Sequence, residues 1–178
     1  MSSNWQGSVH VSAPVEEVYA YLADFTNQAD WDETVTKVEQ AEPGDVNGVG
    51  AKWKSYERLD SLQSDKGRKS HSNLARNAGL AMREVRELTP HQRVAWHSYT
   101  MPRMGVTADC AFELTPDAGG TTVSFTVQFN MLAVIESVTK FVFKGLDAKQ
   151  QAQWQASLEN VKTQVERSSV SRSVEVAV

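Results

Sequence analysis

The chain has one cysteine in 178 residues, Cys110, so no intrachain disulfide can form. Cys110 sits in an alternating apolar run, which predicts a buried reduced thiol rather than a nucleophile. A basic excess is also missing: 18 Lys and Arg against 22 Asp and Glu leave a formal net charge of -4. That balance argues against a nucleic-acid partner and against attachment to anionic lipid by bulk charge. No apolar run reaches the roughly 18 residues a membrane span needs. The first residues, Met1 to Gly7, carry neither a basic nor an apolar leader segment. The chain therefore reads as cytoplasmic, without membrane insertion. His10, His71, His91 and His97 are scattered with no His-x-x-x-His pair, so no metal site is expected. Gly-x-Ser-x-Gly, the phosphate loop and the dinucleotide fingerprint are absent too, and no cofactor is predicted. What is present is ordinary for one folded domain: 40% hydrophobic and 22% charged residues.

The most organised stretch is the last. From Leu132 to Glu166 the pattern predicts a long amphipathic helix, with Leu146, Trp154, Leu158, Val161 and Val165 on one arc and a break near Gly145. Upstream, Ser8 to Ser12 reads as a short strand. A helix capped by Ser12 follows, with the stripe Val15, Val18, Tyr19 and Leu22. A second, very short helix spans Thr26 to Asp32, capped by Thr26 or Asn27. Strands are expected over 34–40, 48–58, 81–88, 93–99, 106–114 and 121–130. The last is the cleanest, with Val123, Phe125, Val127 and Phe129 on one face and Ser124, Thr126 and Gln128 on the other. Residues 60–79 form a polar, Ser-rich loop with five basic or His side chains, Lys66, Arg68, Lys69, His71 and Arg76. Loops of this length are mobile extensions, lids or docking segments. Ser168 to Val178 shows no helical pattern and reads as a disordered tail.

Val11-Ser12-Ala13-Pro14-Val15-Glu16-Glu17-Val18-Tyr19-Ala20-Tyr21-Leu22-Ala23-Asp24, followed by Trp31, resembles the opening signature of the START-like (SRPBCC) superfamily, in its polyketide cyclase/dehydrase branch. Val49-Gly50-Ala51, Glu87-Leu88-Thr89-Pro90 with Trp96, and Leu158-Glu159-Asn160-Val161-Lys162 resemble its later landmarks. The resemblance implies an α+β helix-grip fold: a curved antiparallel sheet of about seven strands around a long C-terminal helix, with two short helices after the first strand. One such domain would occupy 1–167 and the tail 168–178. The resemblance further implies an elongated, mostly apolar cavity for lipids, sterols, polyketides or other hydrophobic compounds, with only some members being enzymes.

On that fold the inward faces would line the cavity, which points to Trp31, Trp53, Trp96, Phe112, Phe125, Phe129, Phe143 and Trp154 as ligand-binding candidates. Ser55 and Gln150 are the candidates for polar groups that orient a ligand. For catalysis the candidates are His97, a base titrating near neutrality, and Arg83, which could anchor a carboxylate. The parity of 93–99 stays open: if Trp96 points inward, His97 points to water. Arg83, Glu84 and Arg86 put a charge inside at either parity unless their strand is distorted, and a surface ion pair is the simpler expectation for Arg83. Asp30, Asp32 and Glu33 read as a solvated rim around one buried Trp. The expected function is binding, or transport, of a hydrophobic small molecule. The alternatives are a polyketide cyclase or aromatase, and a chaperone-activator-like module docking through Lys66 to Arg76.

Overall fold

Wherever the sequence alternates, the chain is extended, and the alternation decides which side chains are buried. The computed structural model describes residues 4–57, 80–101, 106–130 and 146–176. Seven strands are present: β1 (Asn4–Val11), β2 (Val35–Glu42), β3 (Lys52–Glu57), β4 (Leu80–Thr89), β5 (Arg93–Met101), β6 (Val106–Asp117) and β7 (Gly120–Asn130). They form one antiparallel sheet in the order β1-β7-β6-β5-β4-β3-β2. Helices α1 (Val15–Ala23) and α2 (Gln28–Trp31), with a 3-10 turn over Phe25–Asn27 between them, separate β1 from β2. The long helix α3 (Leu146–Val176) follows the last strand. This is the helix-grip α+β arrangement.

Register aligns the inward residues into rows. Val123, Phe125 and Val127 of β7 are buried, as are Cys110, Phe112 and Leu114 of β6 and Val94 and Trp96 of β5. Their neighbours Ser124, Thr126, Glu113, Asp109 and Arg93 face the other way, as a half-wetted sheet requires. The ladders slip at four places: twice between β2 and β3, between Val85 and Glu87, and between Ser98 and Met101. Such bulges bend a strand and increase its twist, so the sheet curves. α3 lies along β1 and against α1 and α2. It sets Leu158, Val161 and Val165 into the shared core, where each is no more than 2% exposed.

Several boundaries differ from the sequence reading. β1 begins at Asn4, which brings Trp5 against Phe125 and Trp154, with ring centroids 5.8 and 5.4 Å away. Ser12 does not cap α1; its N–H donates instead to Glu166 Oε1 of α3 at 2.8 Å. Asn27, one of the two expected caps, holds the N-cap position of α2 without a side-chain cap bond, and the capping bond falls one step earlier, where the Asp24 carboxylate accepts from Thr26 N at 3.0 Å at the start of the 3-10 turn. The gap left between the strands expected over 106–114 and 121–130 closes to the turn at 118–119, because the strands pair out to Asp117 and Gly120. The helix expected over 132–145 lies outside the described residues. α3 also continues through Val176, where a disordered tail from Ser168 was expected. Ser168 and Ser169 return their hydroxyls to the carbonyls of Gln164 and Val165, and Ser169 also donates to Glu17. Once a helix exists, each added residue gains one backbone bond without a new nucleation cost, so weak propensity suffices.

Gly120 sits where a side chain has no room. Its φ is 156°, and a Cβ there would lie 2.1 Å from the Val11 carbonyl oxygen. Gly120→Ala is therefore expected to force β1 away from β7 and cost about 2 kcal/mol or more in a urea titration. A loss below about 0.5 kcal/mol would show that the β1 end yields freely.

Candidate functional site

The inner face of the sheet divides into an aromatic zone and a polar one. In the first, Phe112 stacks on Phe125 at 4.5 Å, and Trp96 meets Phe112 at 5.5 Å and Phe125 at 5.8 Å. Trp31, carried in from α2, meets Phe112 edge-on at 5.3 Å and Trp96 at 6.4 Å. Asn160 of α3 ties α2 down by donating to the Trp31 carbonyl at 3.3 Å. These four rings interlock as core packing. Trp53 stacks on Phe25 at 5.9 Å, and Phe129 stacks on Trp154 at 5.6 Å toward the opposite side of the sheet.

The next transverse row runs Trp53, Arg83, Ser98, Ala108 and Phe129 across β3, β4, β5, β6 and β7. Beside it Ser55 pairs in register with Ala81. Ala81, Ser98 and Ala108 are all buried and all small. Among them stands Arg83, 6% exposed. Its Nη1 and Nη2 donate to Asp32 Oδ2 at 3.4 and 3.3 Å, and Nη2 donates to Glu57 Oε1 at 3.5 Å. These are long for charge-assisted bonds, which prefer about 2.7–2.9 Å. Arg83 Nε is buried and has no partner among the described residues. Asp32 is held in place from its other oxygen, which accepts from Thr34 N at 3.1 Å and Thr34 Oγ1 at 2.6 Å. Ser55 donates to Gln28 Oε1 at 2.9 Å, leaving the buried Gln28 Nε2 without a partner among the described residues.

Burial pushes the Glu57 carboxyl above its ordinary value of 4.5, against the opposing pull of Arg83. The folded chain thus holds this proton more tightly than the unfolded chain does. Between 4.5 and the raised value the native state carries more protons, so Glu57's contribution makes stability fall as pH rises through that window. Glu57→Gln should remove this slope, raising the urea midpoint at neutral pH relative to wild type. An unchanged slope would mean the carboxyl is hydrated in the folded state. Cys110 lies near the same charges, but burial pushes its thiol up to about 12, which removes it as a nucleophile near neutrality.

The sequence candidates are thus distributed unevenly. Trp31, Trp96, Phe112 and Phe125 share one packed cluster; Ser55 and Arg83 share the polar wall; Phe129 and Trp154 form a pair that Trp5 joins to Phe125 of the cluster. Gln150 lies on α3 with its side chain outside what the structure describes, and Phe143 and residues 58–79 lie outside the described residues altogether. The open parity of β5 resolves with Trp96 inward and His97 outward. His97 Nδ1 donates to Asp109 Oδ1 at 2.6 Å, and its ring lies against Tyr99 on the outer face. A groove of about 490 Å³ opens on that outer face over Ala95 and Ala111. Its charged groups are already paired, Arg86 with Glu84, Arg93 with Glu113 and Asp109 with His97. Arg83 is not a surface ion pair: β4 alternates with Ala81, Arg83 and Val85 inward, which turns Glu84 and Arg86 to the other face. Asp32, expected on a solvated rim, points inward. Glu57 and Gln28 escaped the sequence reading. Glu57 was available to it, since it continues the inward series Ala51, Trp53, Ser55. Gln28 had no comparable signal, because a four-residue helix is too short to show a face.

Among the described residues no cluster of ligating side chains suits a metal ion, and no helix is long and apolar enough to cross a membrane. Residues 4–166 match the family described as polyketide cyclase / dehydrase and lipid transport. None of the curated proteins matches the sequence significantly. Among solved structures, the chain is similar to the Zhui aromatase/cyclase from Streptomyces sp. R1128, with 18% identity, 94% of this chain and 95% of that one covered, and a TM-score of 0.67. It is similar to the di-domain ARO/CYC StfQ from the steffimycin biosynthetic pathway, with 12% identity, 95% of this chain but 52% of that one, and a TM-score of 0.66. A protein from Thermus thermophilus matches with 14% identity, 94% and 99% coverage and a TM-score of 0.61. At identities this low the likeness shows the shared fold alone.

Proposed function

Because the chain belongs to the polyketide cyclase / dehydrase and lipid transport family, we propose that it binds a hydrophobic small molecule, a lipid or a polyketide, between the inner face of the sheet and α3. The observation that carries this reading is the change of side-chain size along that face. Beyond the Trp96 row, three neighbouring strands present Ala81, Ser98 and Ala108, too small to fill a grip, around a guanidinium whose Nε has no partner among the described residues. Burial of apolar ligand surface there supplies the affinity, at about 25 cal/mol per Å², and the polar wall orients the ligand. The aromatic cluster serves as the floor, with Trp53 and Phe129 at the two ends of the small-residue row. Native mass spectrometry of the protein purified from its own host tests this: a co-purified apolar compound is expected. Its re-addition to stripped protein should raise the melting temperature. Protein that carries no compound, and is stabilised by no lipid or aromatic polyketide, would defeat the reading.

A second reading is favoured by Glu57. A carboxyl whose hold on its proton is strengthened by burial, beside an arginine, is equipped to move protons on a carbonyl chain, as a cyclase or aromatase requires. On this reading Arg83 and Glu57 act and His97, on the outer face, does not. Turnover of a poly-β-carbonyl substrate should then survive His97→Ala and be lost in Glu57→Gln; the reverse pattern rejects it.

A further inference from the structure

The polar wall carries an imbalance of charge. Two carboxylates, Asp32 and Glu57, face one guanidinium, Arg83, and all three side chains are at most 14% exposed. We infer that this wall selects hydrophobic ligands whose polar end is an uncharged oxygen group, a ketone, phenol or alcohol, and that Glu57 excludes carboxylates. The inference rests on the proposed binding of a hydrophobic molecule at this face.

An arginine in an apolar cavity ordinarily invites an anion. Here both carboxylates reach its terminal nitrogens, so an incoming carboxylate would meet Asp32 and Glu57 at short range in a poorly hydrated site. Like charges brought together under such conditions are strongly disfavoured. An uncharged oxygen meets no such barrier. It can accept from Arg83 Nε, which has no partner among the described residues, and the wall offers a second such donor in Gln28 Nε2, whose amide oxygen is taken by Ser55. Both donors belong to side chains more than nine-tenths buried, and buried donors without acceptors are costly enough that an acceptor is expected to reach them. The long contacts from Arg83 to Asp32 and Glu57 fit the same picture, since an acceptor at Nε leaves them in place. Nothing in the wall is covalently reactive: Ser55 is committed to Gln28, and the Cys110 thiol stays protonated.

The test uses the full chain and three probes of equal length, dodecanol, dodecanone and dodecanoate, competing with the uncharged dye Nile red. The alcohol and the ketone should displace the dye, and dodecanoate should do so at least about tenfold less well at neutral pH. Glu57→Gln, which keeps the shape and removes the charge, should narrow that gap by improving dodecanoate alone. Dodecanoate binding as tightly as dodecanol to the wild type would overturn the inference while leaving the binding reading intact. A gap that Glu57→Gln leaves unchanged would equally remove Glu57 from the role. Failure of Nile red and all three probes to bind would defeat the binding reading and the inference with it. The wild-type comparison stands by itself, should the variant fold poorly.

Discussion

Arg83→Ala is expected to lower folding stability by about 3–5 kcal/mol, the cost of removing one partner from a buried ion cluster. The magnitude follows from what is left behind. Asp32 and Glu57 approach the same guanidinium nitrogen, Nη2, at 3.3 and 3.5 Å, and both are nearly buried. Without the guanidinium they repel each other where water reaches them poorly. Removing the charges together should hurt far less, so Arg83→Met combined with Asp32→Asn and Glu57→Gln is expected to recover much of the loss. Urea midpoints for the single and triple variants decide it. A single-variant loss below about 1 kcal/mol would mean that solvent already screens the carboxylates.

The second large effect is expected at Trp96. Its ring touches Phe25, Trp31, Phe112 and Phe125 at 5.7, 6.4, 5.5 and 5.8 Å, and it is 3% exposed. Trp96→Ala removes the ring that joins α2, β6 and β7, and should cost about 3–5 kcal/mol as lost transfer energy plus the cavity left behind. Trp53 is the internal comparison. It is only half-buried and stacks on Phe25 alone among the described aromatic rings, so Trp53→Ala should cost roughly 1–2 kcal/mol. Equal losses at the two positions would show that the aromatic cluster is not centred on Trp96.

Local pattern carried much of the architecture. The period-two alternation of β6 and β7 gave both their existence and their buried faces, since a strand's parity is written within the strand itself. The α1 stripe and the arc Trp154, Leu158, Val161 and Val165 were equally legible at helical spacing. Legibility failed where a residue's environment depended on a distant one. β5 offered two parities until Val85 and Cys110 were seen on either side of Trp96. Asp32, beside two other acidic positions, looked like solvated surface. Ser168 and Ser169 looked like the start of a disordered tail, although on an existing helix their hydroxyls bond backward to it.

What the sequence by itself determined is the succession of elements and the apolar face of each one, because both follow from spacing over a few residues. What the tertiary structure alone decided is the charged wall. Arg83 lies 51 positions from Asp32 and 26 from Glu57. No local propensity couples such positions. Only the curved sheet, with α2 laid across it, brings one guanidinium and two carboxylates into a space where water cannot separate them.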